Sequence, residues 1–196
     1  MKKLIAFILM VLLSALNAYA LDGTAAENFV KKVTKQGIEE IINSNVSIEQ
    51  KDERFEKLFN QYLDVEYIGK FVLGRYWKTA SQKQRDEFIK VYRDFNTKTW
   101  SKRFDEFKGK HFDFHGTSPS NSEGQMFVNT TVDMDNAAPA KVVFRVKETN
   151  ADLKIVDIII ENVSLAITAR NEYTAYIKKA PNGLDDLIKD LKQKSN

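Results

Sequence analysis

The chain has 196 residues, with 30 Lys and Arg against 27 Asp and Glu and no cysteine. The lack of cysteine excludes thiol catalysis, cysteine-ligated metal and disulfides, and a chain of this length can bury enough apolar surface to fold without cross-links. The near-neutral charge balance gives no electrostatic reason to expect nucleic acid as a partner.

The N-terminus has the pattern of an export signal. Lys2 and Lys3 precede an apolar run over 4–13, and Ala18-Tyr19-Ala20 is a small-x-small cleavage pattern. The run is about half of the roughly 20 residues that a membrane-spanning helix needs. We therefore predict a cleaved signal peptide over residues 1–20 and a single domain over residues 21–196.

Apolar residues at helical spacing follow. They predict helices over about 22–43, 48–63 and 65–73, the last of which ends at Gly74. Ser81 and Gln84 fit a capping box, which marks the start of a longer helix. Phe88, Tyr92 and Phe95 form an aromatic stripe on that helix, a pattern typical of ordinary core and also of a cavity wall.

After Gly109 the apolar period changes to that of strands. Three alternating segments follow, around 112–115, 126–134 and 142–147, and the turns between neighbouring strands indicate antiparallel pairing. A fourth strand over about 153–165 is apolar on both faces, as expected for a central strand. Helices are predicted again over about 168–179 and 184–192. The fold class is therefore α+β, with an antiparallel sheet of at least four strands and helices packed over one face.

Few residues are candidates for chemistry. His111 and His115 stand about 13 Å apart along a strand, too far for one ion, so no metal site is expected. Asp157 interrupts the most apolar strand, where an isolated charge is expensive. One hypothesis makes Asp157 a general base for enolisation, as in small cone-shaped isomerases. The other makes it a structural acid, held by an arginine or by backbone donors.

Three groups of residues carry a family resemblance. They are Leu73, Gly74, Tyr76, Trp77, Ser81 and Gln84; then Ile155, Asp157, Glu161, Val163 and Ser164; then Gly183, Leu184 and Leu187. In this order, behind an export signal, they resemble the MlaC, or toluene-tolerance, family of periplasmic phospholipid-binding proteins. The resemblance covers essentially the whole predicted domain.

The resemblance implies an NTF2-like fold that encloses an apolar cavity for the acyl chains of a diacyl glycerophospholipid, with the headgroup facing water. It implies a monomeric carrier in the periplasm of a Gram-negative bacterium that maintains outer-membrane lipid asymmetry. Its expected partners are an inner-membrane ABC transporter complex and an outer-membrane lipoprotein complex. No cofactor and no catalysis are expected, and a small NTF2-like isomerase or lyase that uses Asp157 as general base is the alternative.

We predict that the aromatic stripe and the fourth strand, with their neighbours, form the cavity walls. The predicted lipid-binding residues are Tyr67, Phe71, Val72, Trp77, Phe88, Tyr92, Phe95, Val142, Phe144, Ile155, Ile159 and Val163.

Overall fold

The computed structural model describes residues 21–134, 138–150 and 152–195. The predicted signal peptide over residues 1–20 lies outside the described residues. Within the described part of the chain, no helix combines the length and the apolar character needed to cross a membrane.

The helices occupy two parts of the chain, before and after the sheet. The first group is α1 (Gly23–Lys35) with a π-helical continuation (Gln36–Ile42), α2 (Ile48–Tyr62), α3 (Val65–Leu73), α4 (Arg75–Thr79), α5 (Gln82–Ser101) and a 3-10 helix (Phe104–Phe107). The second group is α6 (Leu165–Lys179) and α7 (Leu184–Lys194). The bounds of α2, α3 and α7 agree closely with the helices predicted from apolar spacing, and α1 with its π-helical continuation fills the predicted range 22–43. The short helix α4 was not predicted, and α6 begins at Leu165 rather than at about residue 168.

Short polar side chains explain why several helices begin where they do. Ser81 starts α5 with the predicted capping box: its hydroxyl accepts from the Gln84 N–H, and the Gln84 side chain accepts from the Ser81 N–H at 3.0 Å. Ser47 and Gln50 repeat the arrangement at α2. Asp64 caps α3 by accepting from the Tyr67 N–H. Each cap satisfies a backbone donor that the helix itself leaves unpaired.

The sheet is antiparallel, and its strands follow in chain order. They are β1 (Phe112–Pro119), β2 (Gln125–Val132), β3 (Ala140–Thr149), β4 (Asp152–Ile160) and β5 (Val163–Ser164). The α+β class and the antiparallel sheet of at least four strands are confirmed.

The prediction of one continuous central strand up to Leu165 is wrong. Glu161 and Asn162 have positive φ values of 48° and 65°, and they turn the chain after β4. β5 then pairs only with Ile159 and Ile160. The rest of β4 has β3 on one side, and on its other side the backbone meets the end of α2, where the Asp64 N–H donates to the Ile155 carbonyl at 3.1 Å. Three helices, α2, α3 and α6, also pack against β4. This helical packing accounts for its many apolar side chains.

Two apolar cores meet at β4. The sheet core lies between one face of the sheet and α1 and α2; its buried residues are Leu21, Ala26, Val30, Val33, Tyr62, Val128, Val132, Val142, Phe144, Val146 and Ile155. The helical core lies among α2, α3, α5, α6 and α7; its buried residues are Phe59, Val65, Ile68, Val72, Leu73, Phe88, Val91, Tyr92, Tyr173, Ile177, Leu184, Leu187, Ile188 and Leu191.

Candidate functional site

A small apolar cavity of about 80 Å³ lies where the sheet core and the helical core meet. It has β4 on one side and helices on the others. Its lining residues are Phe59, Leu63, Ile68, Tyr92, Asn96, Trp100, Ile155, Val156, Asp157, Ile158, Leu165, Ala166 and Ala169. Most of these are apolar, so the cavity suits an apolar ligand rather than a polar one.

Helical spacing places the α5 and α6 residues of this lining. Tyr92, Asn96 and Trp100 follow at intervals of four along α5, which puts them on one face of the helix. Ala166 and Ala169 lie three residues apart in the first turns of α6. Because alanine ends at Cβ, these two positions leave the space that a larger side chain would fill.

Asp157 is the one carboxylate in the cavity lining, and it is 4% exposed. Its Oδ2 accepts from Arg145 Nη2 at 3.1 Å and from the Ser164 hydroxyl at 2.6 Å. Its Oδ1 accepts from the Ala166 N–H at 3.0 Å. Ser164 also caps α6 by accepting from the Ile167 N–H. The carboxylate therefore joins β3, β4 and the start of α6.

This network supports the hypothesis that Asp157 is a structural acid. A general base needs an oxygen within hydrogen-bond reach of a substrate proton. Both oxygens of Asp157 already accept hydrogen bonds from the protein, and one of the donors is the cationic Arg145. A buried charge that is paired and hydrogen-bonded in this way is the arrangement expected of a structural group.

Two buried tyrosines, Tyr92 and Tyr173, pack against each other and against Phe88 in the helical core. Their ring centroids lie 6.2 Å apart in an edge-to-face arrangement, and both rings contact Phe88. Burial raises the pKa of the Tyr92 hydroxyl, and the negative charge of Asp157 raises it further. Burial also raises the pKa of Tyr173. Both tyrosines are therefore kept neutral.

Of the predicted lipid-binding residues, the structure brings Tyr92 and Ile155 to the cavity. Those in the helical core or packed against it are Val72, Phe88, Phe71, Trp77 and Phe95. Those in the sheet core are Val142 and Phe144. These seven residues belong to the two cores that border the cavity, but they are not among its lining residues.

Three predicted residues lie elsewhere. The Tyr67 hydroxyl accepts from Gln125 at 3.0 Å, and Lys147 Nζ stands 4.1 Å from its ring centroid. Ile159 is half-buried on β4, where it pairs with Ser164. Val163 is 55% exposed. The structure does not bring these three side chains to the cavity.

Apart from Asp157, sequence reasoning missed every lining residue except Tyr92 and Ile155; the missed ones are Phe59, Leu63, Ile68, Asn96, Trp100, Val156, Ile158, Leu165, Ala166 and Ala169. The predicted stripe on α5 consists of Phe88, Tyr92 and Phe95, whereas the cavity lies on the face of α5 that carries Tyr92, Asn96 and Trp100. The signal for Asn96 and Trp100 was their spacing of four and eight residues from Tyr92. Nothing in the sequence marks Ala166 or Ala169, because small residues are common in helices.

A larger surface groove of about 1150 Å³ runs between α2 and α5. Its lining is dominated by charged side chains: Asp52, Glu53, Glu56, Lys83, Asp86, Glu87, Lys90, Asp94, Lys98 and Lys192. Such a lining is suited to water and ions, and an acyl chain laid there would remain in contact with charges. The small apolar cavity is the better candidate for an apolar ligand.

The two histidine side chains contact different polar groups on the sheet. His111 Nε2 lies 3.3 Å from Asp133 and 3.8 Å from Asp113, all three exposed, and His115 Nε2 lies 2.9 Å from the Thr131 hydroxyl. Among the described residues, no cluster of three or more His, Asp or Glu side chains is arranged to hold a metal ion.

The chain thus forms a small α+β domain with an apolar cavity between its sheet and its helices. The family model described as "MlaC protein" matches residues 30–193. The chain therefore belongs to the MlaC family, as its sequence motifs indicate.

Two known proteins extend the comparison. The "Intermembrane phospholipid transport system binding protein MlaC" of Haemophilus influenzae is 23% identical over 140 residues, which are 69% of this chain and 64% of that protein. The match thus spans slightly less than two thirds of the relative's length. A solved phospholipid-binding protein from Ralstonia solanacearum, in complex with a phospholipid, superposes with a TM-score of 0.75 at 18% identity. The superposition covers 87% of this chain and 96% of that one, so the two chains share their fold.

Proposed function

We propose that this protein is a phospholipid carrier that holds the acyl chains of a diacyl glycerophospholipid between β4 and the helices α3, α5 and α6. The apolar cavity at the junction of the two cores is the observation that carries the proposal. Membership of the MlaC family and a fold shared with a phospholipid-bound protein support it.

The energetics of lipid transfer explain why such a carrier is needed. Burying a methylene group gains about 0.8 kcal/mol, so two chains with roughly 30 methylenes cost on the order of 24 kcal/mol to expose to water. A dry protein cavity removes most of this cost. Because bilayer and cavity are both apolar, the exchange between them is close to balanced, and the carrier can both load and release its cargo.

Loading requires the cavity to widen. Ligand pockets for drug-sized molecules occupy about 300–1,000 Å³, whereas the volume between β4 and the helices is about 80 Å³. The helices on the other side of the cavity have to move away from β4 while they stay packed against one another. As the cavity widens, acyl chains reach predicted residues that do not line it at present, among them Val72 and Phe88 in the helical core and Phe144 in the sheet core.

The remaining parts of the proposal follow from the family. The carrier acts as a monomer in the periplasm of a Gram-negative bacterium, after cleavage of the signal peptide. It exchanges lipid with an inner-membrane ABC transporter complex and an outer-membrane lipoprotein complex. It breaks no bond and uses no cofactor; the engagement of both Asp157 oxygens supports the non-catalytic assignment.

The test is organic extraction and mass spectrometry of the protein purified from the periplasm without detergent. We expect close to one diacyl phospholipid per protein. A protein that purifies without lipid, and stays without it after incubation with phospholipid vesicles, would overturn the proposal.

A further inference from the structure

The lining of the apolar cavity contains one side-chain amide. Asn96 on α5 is half-buried, and it lies one helical turn from Tyr92 on one side and from Trp100 on the other. Asp157 is also polar, but both of its oxygens already accept hydrogen bonds from the protein. The polar groups of the lining that still have bonding capacity therefore lie on α5.

Asn96 and Tyr92 together have a hydrogen-bond donor to spare. Asn96 Nδ2 donates to the Tyr92 carbonyl at 2.7 Å, a bond within the helix. The two side chains also interact: burial and the Asp157 charge raise the pKa of Tyr92, and a hydrogen bond with the Asn96 side chain partly opposes this shift. An amide has two N–H donors and a phenol has one O–H. The backbone bond uses one of these three donors and the contact between the side chains uses one more, so within the described residues one donor has no acceptor.

The cavity opens towards the C-terminal end of α5. Tyr92 is 6% exposed, whereas Trp100 is half-buried, and Arg103 Cζ lies 5.2 Å from the Trp100 ring centroid. The Arg103 side chain is 47% exposed. Tryptophan is typical of a boundary between an apolar region and water. The mouth of the cavity therefore lies at Trp100, and Asn96 lies four residues inside it, which is about 6 Å along the helix axis.

This depth matches the glycerol end of a phospholipid. If the headgroup is in water beyond Trp100, the acyl chains run past Asn96 towards Tyr92, and the ester groups that join them to glycerol lie between these two regions. An ester carbonyl accepts hydrogen bonds and donates none, so it is complementary to the spare donor. Methylene groups at the same place would bury that donor without a partner, which costs free energy.

We propose that Asn96, together with the Tyr92 hydroxyl, is a specificity determinant that donates a hydrogen bond to an ester carbonyl of the bound lipid. The carrier therefore selects ester-linked over ether-linked lipids, whatever their headgroup. This assignment rests on the proposed carrier function, and it adds to it the part of the lipid that the protein recognises.

The test is a competition between two lipids that differ only in these groups. The mature protein is offered an excess of an equimolar mixture of dipalmitoyl phosphatidylcholine and its dihexadecyl ether analogue, dispersed from ethanol, and the retained lipids are extracted and quantified by mass spectrometry. The test variant is Tyr92→Phe with Asn96→Leu, which removes all three donors. The control variant is Tyr173→Phe with Thr97→Val. It removes two hydroxyls from nearby positions, of which Tyr173 lies in the helical core and Thr97 lines the charged α2–α5 groove.

We expect the wild type to retain the ester lipid about tenfold in preference to the ether lipid, which is equivalent to about 1.4 kcal/mol. The test variant should retain both lipids equally, because its cavity wall has no donor left to satisfy. The control variant should keep the wild-type preference. Asn96→Leu alone, in which the Tyr92 hydroxyl remains, should lower the preference about threefold. Thermal unfolding shows whether each variant is folded, and the single variant decides the question if the double variant is not.

The outcomes separate the two proposals. Equal retention of both lipids by the wild type would overturn the ester contact and leave the carrier function intact. A full preference in the test variant would also overturn the ester contact, since the donor would then lie elsewhere. Loss of the preference in the control variant would overturn the assignment to Asn96 and Tyr92. Retention of neither lipid by the wild type, even after incubation with phospholipid vesicles, would overturn both proposals.

Discussion

Asp157 Oδ1 accepts a hydrogen bond from the Ala166 N–H at 3.0 Å, and this contact joins β4 to the first turn of α6. Ala166 lines the cavity beside Asp157. A side chain that sequence analysis treated as a candidate catalyst thus fixes the position of one cavity wall. The same carboxylate pairs with Arg145, so the wall is tied to two strands.

Asp157→Ala should lower the free energy of unfolding by about 3 kcal/mol, the cost of leaving one partner of a buried ion pair uncompensated. The Arg145 side chain is 19% exposed and the Asp157 side chain 2%, so solvent can compensate for only part of the loss. Denaturant unfolding measures the change. Asp152→Ala, at the exposed first residue of the same strand, is the matched control. A loss below about 1 kcal/mol would contradict the structural role.

Ala169→Leu should reduce phospholipid retention about tenfold, since the added carbon atoms occupy the space that an acyl chain needs. The fold should be stabilised by about 1 kcal/mol, as expected when a cavity is filled. Mass spectrometry of the extracted lipid and thermal unfolding give the two values. Ala175→Leu, at an exposed position of α6, should change neither. Full lipid retention by Ala169→Leu would show that the acyl chains lie elsewhere.

Gly74→Ala should destabilise the protein by about 1–3 kcal/mol, measured by denaturant unfolding. Gly74 joins α3 to α4 with φ 54° and ψ −119°, a conformation that L residues rarely adopt. The added Cβ would also lie 3.0 Å from Arg170 Nη2, and Arg170 donates to the Phe71 carbonyl. Gly109→Ala is the comparison, because Gly109 has φ 73° but no atom near the added Cβ. Equal losses would mean that Arg170 moves aside without cost.

Stability should fall above about pH 10, the usual pKa of tyrosine. Burial raises the pKa of Tyr92 and Tyr173, with Asp157 adding to the shift at Tyr92 and with Tyr92, Glu172 and Asp190 adding at Tyr173. Above the unfolded-state pKa the unfolded chain releases these protons while the folded chain keeps them, so folding loses about 1.4 kcal/mol per pH unit for each tyrosine.

Unfolding curves at a series of alkaline pH values measure this loss. Tyr92→Phe with Tyr173→Phe should make the decline shallower, and Tyr176→Phe, at an exposed position, should leave it unchanged. An identical decline in the double variant would contradict the assignment of the loss to these two tyrosines.

Much of the fold was predictable from local patterns. Ser81 and Gln84 placed the start of α5, Gly74 the end of α3, and the alternation around Phe112, Val128 and Phe144 placed three strands. These signals are strong because capping, positive φ and strand alternation depend on residues that are close in sequence. The end of β4 was not predictable in this way, because the turn begins at Glu161, a residue type that seldom adopts positive φ, although Asn162 is of a type that does so more often.

The sequence alone determined the α+β class, the family and the apolar character of the residues from which a cavity is built. Tertiary structure decided which of them face it. Phe88 and Tyr92 are similar in the sequence pattern, yet only Tyr92 lines the cavity, and Ala169 lines it because it is small. The environment of Asp157 is likewise set by tertiary contacts, since Arg145, Ser164 and Ala166 donate hydrogen bonds to its carboxylate. Such choices depend on how helices from distant parts of the chain pack around β4, and local periodicity carries no information about that packing.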